Sequence, residues 1–283
     1  REERPDVIIV HHVLPLGTVA WLYGLFAQTP FVVCLHGMDF ATANERPWKR
    51  FLLRRVLTAA HTVVANSKAL GKQVQQLTGR DALVCYPTPW IQPLRKANIK
   101  RAQNPVVLSS VTRLVERKGI DRVLKALASM PHLHERLRYH ITGVGPFAPT
   151  IRECIDRLRL EHIVTLSETD DSEDLRRAFE EADIFVLPTT SKKGNTEGFG
   201  MVYLEAALFG APSIASRQAG VDEAVIDKNT GLLVSNDDEL AKAISRLVCD
   251  EAYRRSLGMQ AKERARQFTP EEQFHGLRQR LYD

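Results

Sequence analysis

The sequence predicts an α/β protein built from two parallel-sheet units. Three observations predict it. Short apolar runs rich in strand formers alternate with amphipathic stretches, the signature of parallel strands joined by crossover helices. A proline-containing, polar and basic stretch, Pro87–Asn104, interrupts this rhythm once and reads as an interdomain linker. Glycines and charged residues gather just after strand-like runs, where open parallel sheets bind ligands. A chain of 283 residues is long enough for two such units.

Before the linker, the strand candidates are Val7–Val10, Phe31–Leu35, Thr62–Ala65 and Ala82–Tyr86. The helix candidates are Leu16–Gln28, Pro47–Thr58 and Ser67–Thr78; Ser67 suits an N-cap and Pro47 a first helical turn. After it, strands are expected at Val106–Val111, Tyr139–Gly143, Val164–Leu166, Ile184–Pro188, Pro212–Ser216 and Leu232–Val234. Helices are expected at Gly119–Met130, Phe147–Leu158, Ser172–Glu181, Gly200–Phe209 and Asp238–Cys249, with Glu251–Gln267 and Pro270–Leu281 closing the chain.

Composition narrows the classes. A hydrophobic fraction of 44% and a charged fraction of 26% are those of a soluble globular chain rather than a membrane or disordered one. No uninterrupted apolar run reaches the roughly 18 residues that a spanning helix needs. No secretory signal precedes the first strand, so the expected location is cytoplasmic. Cys34, Cys85, Cys154 and Cys249 are scattered without a CxxC pair, which favours free thiols over a disulfide frame or metal site. Residues 1–103 hold 14 Lys/Arg and 6 Asp/Glu, a net of +8, against +5 for the whole chain. Basic surface on one half suits an anionic partner there, or simply a solvated face.

Three segments carry chemistry. Thr112-Arg113-Leu114-Val115-Glu116-Arg117-Lys118-Gly119 follows a strand and opens a helix. Its cations, a glycine turn and a helix N-terminus suit a diphosphate, although basic loops are common. Gly143-Val144-Gly145-Pro146 permits close approach of a ligand to backbone. The strongest segment is Thr196-Glu197-Gly198-Phe199-Gly200-Met201-Val202-Tyr203-Leu204-Glu205-Ala206. Two glutamates flank a glycine-opened helix start that can hold phosphate. Carboxylates accept hydrogen bonds from hydroxyls, so a ligand with a diphosphate centre and hydroxyls on both sides fits: a nucleoside diphosphate sugar. The competing reading makes Glu197 a cap and Glu205 a surface residue; the apolar helix around Glu205 argues that it has a partner.

The pair Glu197 and Glu205, with seven residues between them, resembles the signature of the family 4 retaining glycosyltransferases of the GT-B fold. Arg113–Gly119, Gly143–Pro146, Ala182–Pro188, Gly210–Ser216 and Thr230–Val234 extend the resemblance, as do Arg4–Val7, Leu35–Asp39 and Val64–Ser67. The resemblance implies two Rossmann-like domains facing a cleft, and transfer of a sugar from a nucleotide donor to a saccharide or lipid-linked acceptor with retention. It implies that Arg113 and Lys118 neutralise the diphosphate and that Gly143 and the backbone of Gly198, Phe199, Gly200, Met201 and Val202 approach the donor. Glu197 would hold the donor sugar, Glu205 the ribose, Leu166 the base, and His36 the sugar and leaving group. No metal or other cofactor and no nucleic-acid partner is expected. The domains implied are 1–98 on the acceptor side, 99–268 for the donor, and a terminal helix 269–283 packing back on the first. Family members open with an earlier strand and a glycine-rich loop. Neither is present here, so the N-terminal domain is expected to be incomplete and the sequence truncated.

Residues 47–57 finally suggest an amphipathic basic helix, with Lys49, Arg50, Arg54 and Arg55 beside Trp48, Phe51 and Leu52. Two readings fit it: attachment to an anionic membrane at the inner face, or a crossover helix that covers its sheet.

Overall fold

The computed structural model describes residues 5–93, 105–190 and 198–282. They form two compact units: 5–88 with 198–199 and 269–282, and 89–93 with 105–190 and 200–268. Each has its own parallel sheet, and the architecture is the two-domain α/β one expected.

The first unit's sheet is ordered β1 (Ile8–Val10), β2 (Phe31–Leu35), β3 (Thr62–Ala65) and β4 (Leu83–Val84). Helices α1 (Thr18–Ala27), α2 (Met38–Asn44), α3 (Pro47–Ala59) and α4 (Lys68–Thr78) connect the strands. Strand alternation divides the core into two faces. Val33, Leu35, Val63 and Ala65 pack with Leu53, Val56 and Leu57 of α3 and with Leu70 and Val74 of α4. Val32, Cys34, Val64 and Cys85 face the other way and are covered by Leu277 of α12 (Pro270–Tyr282). Local signals set the helix ends. Ser67 Oγ accepts from Leu70 N at 3.2 Å, and Gly79 closes α4 in the left-handed region. Helix α1 buries Ala20 and leaves Val19, Leu22, Leu25 and Phe26 exposed.

The second unit's sheet is ordered β10 (Gly231–Val234), β9 (Ser213–Ser216), β8 (Ile184–Leu187), β5 (Val106–Val111), β6 (Leu137–Thr142) and β7 (Val164–Ser167). In chain order, α5 (Ile120–Ala128), α6 (Ala148–Leu158), α7 (Ser172–Glu181), α8 (Met201–Leu208), α9 (Val221–Ala224) and α10 (Asp237–Cys249) lie between or after these strands. The following α11 (Glu251–Ala265) packs on α8. From β5 the chain moves outward through β6 and β7, then returns to β8 on the opposite side of β5. The order therefore reverses between β5 and β8, and a crevice at such a point is where ligands bind in this fold class.

Differences from the sequence reading are local. Helix α2 was not expected; it begins within a tight His36–Asp39 turn in which Asp39 Oδ1 accepts from His36 N at 2.9 Å. Strand β4 covers only Leu83–Val84 of the expected Ala82–Tyr86, its pairing with β3 ending at Val84 and one further bond running from Cys85 N to Ala65 O at 3.0 Å. Strand β6 starts earlier, at Leu137, since Val106 at the head of β5 gives it a partner. Residues 94–104 of the linker reading lie outside the described residues. Among the described residues, no helix is long and apolar enough to cross a membrane.

Candidate functional site

The switch point of the second unit is built by three loops locked to one another. The loop after β5 bonds to the loop after β6 through Thr112 N to Thr142 O (3.0 Å), Leu114 N to Val144 O (2.8 Å) and Phe147 N to Leu114 O (3.0 Å). Gly143 makes this closeness possible. Its φ is +145°, and a Cβ there would sit 1.9 Å from Thr112 O. The same loop is tied to the end of β8. Thr190 N donates to Arg117 O at 2.7 Å, and a Cβ on Gly119 (φ +71°) would lie 2.3 Å from Pro188 O. Arg113 leaves this frame exposed, whereas Lys118, in a 3₁₀ turn over Glu116–Lys118, is only 7% exposed. A lysine so covered needs polar company for its ammonium.

Helix α8 starts beside this frame in sequence. Gly200 adopts the left-handed conformation (φ +83°) as its N-cap, and no side chain among the described residues caps it. The first-turn N–H groups of Met201 and Val202 thus form an anion-accepting end. Tyr203 anchors the helix by donating its hydroxyl to Leu187 O at 2.8 Å. One turn on, Glu205 is 7% exposed in an apolar stretch. Its Oε1 accepts from the backbone N–H of both Trp90 and Ile91, at 3.1 Å each. Burial raises its pKa, opposed by these bonds from Ile91 and Trp90. Leu166 lies on β7 opposite Ile141, and the next residue, Ser167, offers its carbonyl to Gly143 N at 3.0 Å.

In the first unit, His36 follows β2. Its ring stacks on His11 at 5.7 Å between centroids and 18° between planes. Neighbouring protein displaces water from the ring and lowers its pKa; Asp39 opposes this, and His11 and His12 add to it. Asn66 Nδ2 donates to His36 O at 3.1 Å. Gly198 rests on the same two groups: a Cβ there would lie 2.7 Å from His36 O and 2.9 Å from Asn66 Nδ2. Phe199 is buried against Tyr86, with ring centroids 5.0 Å apart.

Residues 92–264, well over half of the chain, match the family described as glycosyl transferases group 1. The chain belongs to that family. Residues 1–90 of this group 1 glycosyl transferase also match a glycosyl transferase 4-like domain. It is similar to the putative colanic acid biosynthesis glycosyltransferase WcaL of Escherichia coli, at 30% identity over 51% of this chain and 36% of that protein. Against the uncharacterized glycosyltransferase MJ1178 of Methanocaldococcus jannaschii, identity is 26% over 96% of this chain and 74% of that one. Against the GDP-mannose-dependent alpha-(1-6)-phosphatidylinositol monomannoside mannosyltransferase of Mycolicibacterium smegmatis, it is 27% over 87% and 68%. The chain thus spans about a third of WcaL and two thirds to three quarters of the other two. Among solved structures it resembles Anabaena Alr3699/HepE in complex with UDP, with a TM-score of 0.84 at 22% identity, over 98% of this chain and 78% of that one. At that identity the likeness is one of fold: two parallel-sheet Rossmann-like domains of the GT-B type.

For this group 1 glycosyl transferase, the second unit holds Arg113, Lys118, Gly143, Leu166, Gly200, Met201, Val202 and Glu205 on the loops and helix described above. His36, Gly198 and Phe199 belong to the first unit. Glu197 lies outside the described residues. The sequence reading missed the partner of Glu205. Its signal was a carboxylate in an apolar helix, and the answer lay in the first two N–H donors after Pro89. It also missed His11 and Asp39, whose closeness to His36 comes from pairing of β1 with β2 and from the α2 turn.

Proposed function

We propose that this chain transfers a glycosyl group from a nucleoside diphosphate sugar to a hydroxyl acceptor, with retention of configuration. The observation that supports it most is the interlocked frame at the β5/β8 switch point. There Arg113 and Lys118 flank a turn that ends in Gly119, α8 presents first-turn N–H groups that no described side chain caps, and Glu205 offers a hydroxyl acceptor. In the proposed step the acceptor oxygen bonds to the anomeric carbon on the face the diphosphate leaves. The bond from that carbon to the β-phosphate oxygen breaks, and the acceptor's proton passes to the departing diphosphate. Arg113, Lys118 and the α8 N–H groups stabilise the charge that grows on the leaving group, in place of a metal. Glu197 holds hydroxyls of the donor sugar. The names of two related proteins, a putative colanic acid biosynthesis glycosyltransferase and a phosphatidylinositol monomannoside mannosyltransferase, support a role in envelope or exopolysaccharide assembly.

Incubation with nucleotide sugars radiolabelled in the sugar, plus an envelope extract as acceptor source, tests this. Label is expected to move into the extract and to stop moving with Glu197→Gln. Saturable donor binding without transfer would instead support a non-catalytic donor-binding subunit.

The acceptor side carries a membrane proposal on α3. Its Leu53, Val56 and Leu57 are buried, while Trp48 (59% exposed), Phe51 (57% exposed), Arg50, Arg54 and Arg55 face solvent. One helix therefore serves its sheet and still presents rings and cations, a pattern that suits the headgroup layer of an anionic bilayer. Each cation adds about 1 kcal/mol near such a surface. Sedimentation with anionic vesicles is expected in low salt, to weaken in high salt, and to vanish when Lys49, Arg50, Arg54 and Arg55 become glutamine. Unchanged sedimentation of that variant would remove α3 as the contact.

A further inference from the structure

Trp90 is 82% exposed, an unusual state for a large aromatic ring whose own backbone is fixed. Its N–H and that of Ile91 both donate to Oε1 of the buried Glu205. This two-point anchor holds the start of the segment, so the indole is presented from a set position. Beside it lies a cavity of about 450 Å³, lined by Trp90, Ile91, Gln92, Ser172, Glu173 and Arg176. Such a volume is within the usual range for small-molecule sites, roughly 300–1,000 Å³. The lining pairs one aromatic and one aliphatic wall with an amide, a hydroxyl, a carboxylate and a guanidinium. A flat heterocycle with polar edges matches that set: its face stacks and its edge exchanges hydrogen bonds.

We infer that Trp90 is a stacking platform for the nucleobase of the donor, and that the cavity beside it helps to choose the base. This rests on the donor reading above. Both bonds to Glu205 land on Oε1; Oε2 carries none among the described residues and can accept from a ribose hydroxyl. The base is attached to that ribose, and Trp90 N lies 3.1 Å from the same carboxylate. One glutamate therefore holds the sugar with one oxygen and positions the stacking ring with the other. This makes Glu205 a positioning residue for Trp90 as well as a ligand for ribose.

The experiment titrates the parent protein, Trp90→Phe and Trp90→Ala with uridine diphosphate, guanosine diphosphate and inorganic pyrophosphate. Calorimetry and tryptophan fluorescence are both followed. One nucleoside diphosphate is expected to bind the parent and quench its fluorescence. Trp90→Phe keeps a ring and is expected to keep most of the affinity while losing the quench. Trp90→Ala is expected to weaken the nucleoside diphosphate by about ten- to a hundredfold, the range for one base–aromatic stack, and to leave pyrophosphate unchanged. Full nucleotide affinity in Trp90→Ala would overturn the inference and leave the donor reading intact. An equal loss of pyrophosphate binding would overturn it too, by showing a general distortion. A parent that binds none of the three, nor adenosine diphosphate, would sink the donor reading itself.

Discussion

Gly143→Ala is expected to cost roughly 2–6 kcal/mol of folding stability and to remove nucleotide binding together with it. The loss joins two effects. An L-residue is strained at φ +145°, at about 1–3 kcal/mol. A methyl group 1.9 Å from Thr112 O would also push two backbone segments apart, at a further 1–3 kcal/mol or so. Neither segment is a flexible tip: Thr112 N and Leu114 N are already bonded to the strand and loop that Gly143 joins. Parting them moves Arg113 away from the frame, which is why binding goes with stability. Gly79→Ala supplies the control. Its φ of +73° imposes strain, but nothing lies within 4 Å of the added carbon, so about 1–2 kcal/mol is expected. Urea unfolding of both variants makes the comparison. If Gly143→Ala costs no more than Gly79→Ala, the close approach of the two loops is not what holds the site.

The second large effect concerns the cations. Arg113→Ala and Lys118→Ala should each weaken nucleoside diphosphate binding by about ten- to a hundredfold, since each deletes a charge-assisted contact worth roughly 1.5–3 kcal/mol. The two positions differ in what else they do. Arg113 is exposed, so its variant should unfold as the parent does. Arg113→Lys should restore only part of the affinity, because a point charge cannot replace a two-pronged fork. Lys118 is covered, and its stem packs in the 3₁₀ turn. Lys118→Met keeps the stem without the charge and separates packing from electrostatics. Unchanged affinity in both alanine variants, read by calorimetry, would remove the phosphate assignment.

Much of this was legible in the residues. Strand–helix alternation, a 2.0 period splitting Val33 from Cys34, and caps at Ser67 and Gly79 are local physics that tertiary context left alone. The glycines of the frame were visible as permissive positions. Their partners were not, because Thr112, Leu114 and Pro188 meet them only through the order β8-β5-β6, and strand order is not a local property. Glu205 shows the boundary clearly. Its apolar surroundings announced a missing partner, but the partner proved to be two backbone N–H groups more than 110 positions away in sequence. Backbone donors leave no trace in side-chain type. The helix α2 was hidden for a similar reason: seven residues are too few for a periodic pattern, and a side chain–backbone bond in the preceding turn marks its start.

The proposed donor site takes a nucleoside diphosphate sugar at the β5/β8 switch point. Isothermal titration of the parent and Arg113→Ala with a panel of uridine, guanosine and adenosine diphosphate sugars tests it most directly. Saturable binding of sugars carrying one of these bases is expected, with competition by the free nucleoside diphosphate of that base and at least tenfold weaker binding to Arg113→Ala. Absence of binding across the whole panel, or binding that Arg113→Ala leaves untouched, would contradict it.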